Sequence, residues 1–95
     1  MNVKEFRNFV TLGKEPDGLD DYGRALWFDA KGEWDIAHQI VQSIPTKEAA
    51  WIHAYLHRKE GDVSNAAYWY SRANRKMPDY NLSDEWDILV NEILE

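Results

Sequence analysis

Residues 46–78, TKEAAWIHAYLHRKEGDVSNAAYWYSRANRKMP, decide the fold. Two helical periods meet here at a glycine. Thr46 is a capping residue, and the run that follows it reaches Glu60 before Gly61 breaks it. Asp62 or Ser64 starts a second run. In it Val63, Ala66, Tyr70, Ala73 and Met77 return at alternating spacings of three and four, which is one stripe of a helix. The stretch therefore reads as a helix, a glycine turn and a second helix.

The rest of the chain has the same period. Val3, Phe6 and Val10 predict a short first helix. The segment GKEPDGLDD, residues 13–21, is a loop, and its Asp20 caps a helix that runs to Gly32. Trp34, Ala37, Ile40, Val41 and Ile44 share one face of the next helix, which Pro45 ends. Ser83, with Asp84 and Glu85 behind it, opens a last helix that turns Leu82, Trp86, Leu89 and Ile93 inward. No run alternates as a strand does. The expected fold class is all-α, with six helices in one domain, residues 1–95.

Shifting the sequence by 29 residues overlays the central hairpins: Ala25 on Ala54, Gly32 on Gly61, Ala37 on Ala66. Small residues at the crossing let two backbones approach, and glycine takes the left-handed turn that reverses the chain. Ala54, Gly61, Ala66, Tyr70, Ala73 and Pro78 stand at the spacings of a tetratricopeptide repeat. Residues 47–80 resemble that family specifically, and AAYWYSRA at 66–73 is also similar to Sel1-like repeats. Residues 18–46 resemble it more weakly, through Ala25, Phe28, Gly32 and Ala37. Two such units are fewer than the roughly three that bury a solenoid core. The flanking helices are expected to act as caps.

The resemblance implies a function as well. In such repeats the first helix of each unit lines a concave groove that holds a peptide. The groove positions here are Tyr22, Leu26 and Asp29, then Trp51, Tyr55 and Arg58. Arg58, Lys59, Arg72 and Arg75 would steer an acidic segment of a protein or peptide partner. The lysine–asparagine clamp of some relatives is absent, because Tyr22 and Trp51, Leu26 and Tyr55 fill its positions. A terminal helix lying in the groove would turn the same aromatic stripe into core. Burial of the aromatic face against a second copy, giving a homo-oligomer, is a further reading.

Composition narrows the classes. The chain is 95 residues long, 44% hydrophobic, with five tryptophans and no cysteine. Disulfides, thiolate zinc sites and thiol nucleophiles are excluded. A net charge of −6 speaks against non-specific nucleic-acid binding. No apolar run approaches the roughly 20 residues of a membrane span, and MNVKEFRNFV does not read as a signal peptide. A cytoplasmic protein without a cofactor is the expectation. The charge is uneven: in residues 47–76, Lys47, Arg58, Lys59, Arg72, Arg75 and Lys76 outnumber Glu48, Glu60 and Asp62. Residues 77–95 carry acids only. The bland account is that the acidic segment folds back on the basic block or that both are solvated; the sharper one is a local site for an anionic partner.

His53 and His57 lie one turn apart on a face that the repeat register turns toward the neighbouring helices. His38 lies on the side of its own helix that meets them. Two ligands at i and i+4 with a third from a neighbouring helix suit zinc. No H-E-x-x-H motif is present, and Glu60 sits near a polar hairpin tip. Packed polar histidines are therefore the expectation, with metal binding or hydrolysis by His38, His53 and His57 as the alternative. No phosphate loop, nucleophile elbow or catalytic carboxylate pair stands out.

Overall fold

A computed structural model describes residues 1–94; Glu95, included in the expected domain, lies outside the described residues. The described residues form six helices and no strand. They are α1 (Val3–Leu12), α2 (Asp21–Ala30), α3 (Trp34–Val41), α4 (Lys47–Glu60), α5 (Val63–Arg72) and α6 (Leu82–Ile93). None of them is long and apolar enough to cross a membrane.

Local chemistry sets the boundaries. Asn2, Asp20, Thr46, Asp62 and Asn81 each accept a hydrogen bond from the third backbone amide of the helix they precede. Each such cap supplies an acceptor to an amide that the helix leaves unpaired. Asn81, and not Ser83, opens α6. Ser83 falls inside the first turn, because the asparagine carbonyl one residue before the helix takes the amide of Asp84. Gly32 and Gly61 hold φ values of +83° and +88°, the left-handed region that closes each hairpin.

Helices α2 and α3 form one antiparallel hairpin and α4 and α5 the other. Ala25, Ala37, Ala54 and Ala66 are all fully buried at the crossings. Phe6, Leu26, Ile52, Leu56, Leu89 and Val90 fill the core. Each large apolar side chain buried in this way contributes about 1.5–3 kcal/mol. Val63, expected on the inner stripe of α5, is the first residue of the helix and is exposed.

Helix α6 takes the groove, the second of the two places open to a terminal helix. It packs against α2 and α4, the two helices that were to line the groove, and α1 packs on α6 in turn through Phe6 and Trp86. Leu26, Trp51 and Tyr55 are buried beneath it. In this fold they offer no surface to a partner or to a second copy. Tyr22 is half-buried, its hydroxyl 2.7 Å from Thr46 Oγ1.

Polar groups pin α6 in place. Glu85 is fully buried and accepts from Trp51 Nε1 (3.1 Å), Tyr70 OH (2.6 Å) and Arg58 Nη1 (2.8 Å). Arg58 also donates to the Tyr80 carbonyl, and Trp86 Nε1 donates to the Leu26 carbonyl. Arg75 lies over the Trp51 ring at 3.4 Å and pairs with Glu92. The acidic C-terminal segment thus does fold back on the basic block. Asp29, a second buried carboxylate, accepts from Tyr55 OH and Lys59 Nζ. Glu85 and Asp29 thus lie in the interior and not on a polar face or a loop tip. Burial, together with these carboxylates, pushes the Tyr55 and Tyr70 phenols far above their ordinary range.

Asp29 offers a clean test of such pairing. Asp29→Asn is expected to cost about 1–3 kcal/mol, because Lys59 Nζ then faces an uncharged amide and Tyr55 keeps one acceptor. Thermal unfolding of the variant beside the wild type measures it, and an unchanged midpoint would refute it.

Candidate metal centre

The three histidines converge where α3, α4 and α5 meet. His53 and His57 leave α4 one turn apart, both on the face covered by the partner helices, and both are buried. His38 comes from α3 and is half-buried. Short inter-helix turns and the alanine crossings bring the helices close enough for the rings to touch. His38 Nε2 and His53 Nε2 are 3.0 Å apart. Ring centroids stand 4.6 Å apart for His38 and His53, 4.8 Å for His53 and His57, and 5.2 Å for His38 and His57. One nitrogen from each ring lies within 4.8 Å of the others.

Tryptophans hold two of these rings. Trp34, one turn before His38, stacks on it at 4.9 Å and 12°, and anchors itself by donating Nε1 to the Leu56 carbonyl at 2.8 Å. Trp69 of α5 stacks on His53 at 4.0 Å and 19°. His57 is held by a carboxylate: its Nδ1 is 2.6 Å from Glu60 Oε1. That leaves Nε2 as the free nitrogen of His57. An imidazole whose far nitrogen is fixed by a carboxylate is the usual second partner of a metal-bound histidine.

Electrostatics disfavour the charged form of two of the rings, His53 and His38. Burial, then the neighbouring His38 and His57, brings His53 down to about 4. Burial and His57 also lower His38, against smaller upward effects of Glu60 and Asp35. His53 and His38 thus present a lone pair at neutral pH without first losing a proton. His53 Nδ1 is buried and has no hydrogen-bond partner, and its Nε2 is matched only with another imidazole. An imidazole taken out of water with so few partners is costly unless something further binds it.

The arrangement fits a metal ion. Two nitrogens on one tetrahedral zinc at about 2.0–2.1 Å stand roughly 3.3 Å apart, close to the spacing of the His38–His53 pair. Glu60 and Asp62 form a separate grouping with His57 alone. The charged groove residues take other roles. Lys59 and Arg58 are paired with Asp29 and Glu85. Arg72 donates to Tyr68 OH and lies over the Tyr68 and Trp69 rings.

No protein-family model, curated protein or solved structure matches the chain.

The sequence alone pairs His53 with His57 and brings His38 near. It sets Glu60 aside at the hairpin tip, whereas the carboxylate in fact holds His57, and it passes over Trp34 and Trp69 as neighbours of the rings. Trp34 carried a usable signal, since it precedes His38 by four residues, a helical neighbour.

Proposed function

We propose that this protein binds one divalent transition-metal ion through His38, His53 and His57. The observation that carries the reading is the convergence of three imidazoles, drawn from two helices, with nitrogens within 4.8 Å of one another. Three nitrogen donors favour a borderline ion such as zinc, cobalt(II), nickel or copper(II), and not calcium or magnesium, which take oxygen. The helical-repeat resemblance supplies the scaffold: hairpins stacked so that α3 and α5 flank α4 and aim side chains at it.

A protein-binding module is the reading that the repeat resemblance favours. Its groove is occupied by α6, so a partner would have to use the outer face of α5, where Tyr68 is half exposed beside Arg72. The histidine centre rests on more observations, and it is preferred.

Calorimetric titration of chelator-treated, tag-free protein tests it. Zinc is expected to bind at one ion per chain and calcium not at all. His38→Ala and His53→Ala should each abolish stoichiometric zinc uptake while circular dichroism still reports the helices. A folded wild-type chain that takes up no zinc, cobalt, nickel or copper overturns the reading.

A further inference from the structure

The donor set says more about the metal than its class. Structural zinc sites are closed by four protein ligands, most often with thiolates among them; sites that keep three protein ligands hold a water or substrate in the fourth position. This chain has no cysteine. Among the described residues the cluster that includes His38 and His53 contains histidines only, because Glu60 and Asp62 associate with His57 and fall outside it. The Glu60 Oε1 oxygen is moreover taken by His57 Nδ1, on the side of that ring away from the nitrogen left for the metal.

Three consequences follow from elementary chemistry. Three imidazoles make a coordinatively incomplete shell for a tetrahedral ion. All three ligands are neutral, so the ion keeps its full double charge, and nothing in the donor set offsets it. Access is one-sided: His53 and His57 are covered, Trp69 is stacked on His53, and His38 alone is half open. A fourth ligand reaches the ion past His38. The Glu60 carboxylate, whose side chain is 38% exposed, holds His57 from outside the shell.

Resting on the metal reading above, we infer that the ion held by His38, His53 and His57 keeps one exchangeable coordination position, open on the His38 side, that takes a small anionic oxygen or nitrogen ligand. The physiological ligand class is hydroxide or a small oxyanion. A dicationic centre with neutral ligands favours a monoanion over a neutral donor, and the burial of His53 and His57 confines its approach to the His38 side.

Cobalt(II) in the full-length protein tests this directly, with azide as the probe. The expected result is uptake of one cobalt per chain and a visible spectrum that shifts with added azide along a saturable curve. Glu60→Gln is expected to bind cobalt more weakly, because His57 loses the carboxylate that fixes its Nδ1, but to show the same azide shift once cobalt is saturating, since Glu60 is outside the shell. Stoichiometric cobalt binding with a spectrum indifferent to azide overturns the inference and leaves the metal site standing. So does an azide response that appears only in Glu60→Gln, which would make Glu60 the fourth ligand. A folded chain that takes up neither cobalt nor zinc, nickel or copper overturns the metal reading and this inference together, and one that binds zinc but refuses cobalt overturns this inference alone.

Discussion

Replacing Glu85 with alanine is expected to remove about 3–5 kcal/mol of stability, the range found when one partner is deleted from a buried charged pair. A domain of this size holds about 5–15 kcal/mol in all, so the loss is a large share of it. The reason is the number of donors that converge on one carboxylate. Oε2 accepts from both Trp51 Nε1 and Tyr70 OH, and Oε1 accepts from Arg58. Trp51 and Tyr70 are buried, so alanine leaves their donors without water and leaves Arg58 without its counter-ion. Glu85→Gln should cost less, about 1–3 kcal/mol, because one oxygen survives. Its amide nitrogen would still oppose a donor, the indole of Trp51 or the guanidinium of Arg58. Urea unfolding at neutral pH, followed by tryptophan fluorescence, ranks the two, with the midpoint compared at equal slope. If Glu85→Ala falls within 1 kcal/mol of the wild type, the network does not hold α6.

The same residue shows what the sequence can and cannot reveal. Leu82, Trp86 and Leu89 mark the buried stripe of α6 plainly. Glu85 lies on that stripe too, three residues after Leu82 and four before Leu89. Its position in the first turn gives it a second, surface explanation as an acid at a helix N-terminus. Local pattern does not choose between the two; the choice needs the partner surface, where Trp51, Tyr70 and Arg58 present three donors. The destination of α6 is hidden for the same reason. An apolar stripe states that a helix must be covered, and not which of two faces covers it. The connection at residues 73–81 is long enough to reach either the end of the hairpin stack or the α2–α4 face. The hairpins themselves are legible because alanine, glycine and cap residues act within a few positions of one another. His53 and His57 share a face for a local reason as well. His38 enters through the repeat register, which sets α3 beside α4. The missing partner of His53 Nδ1 is a property of three-dimensional packing alone.

The metal-free protein is expected to lose stability as the pH falls from about 6.5 toward about 4, and His53 is expected to account for roughly 3 kcal/mol of that loss. Burial, His38 and His57 all oppose a cation at His53, so its folded pKa is about 4 against 6.5 for the free side chain. The unfolded chain therefore binds this proton first. Above 6.5 neither state holds it, and the contribution of the neutral ring is complete. Between 6.5 and 4 the unfolded state is protonated and the folded state is not, so each step down in pH favours unfolding. Below 4 both states are charged and the effect levels off. The gap between the two values corresponds to about 3 kcal/mol. His38, lowered chiefly by burial, adds to it with the same sign. Carboxylates also titrate in this window, so the comparison that isolates the ring is the wild type against His53→Gln, both with chelator present. Unfolding free energies at pH 7 and pH 5 should differ by less in the variant than in the wild type. Equal differences in the two proteins would mean that His53 takes up its proton in the fold as readily as in the open chain. In that case the crowding of His53 by His38 and His57, on which the metal centre depends, would not exist in solution.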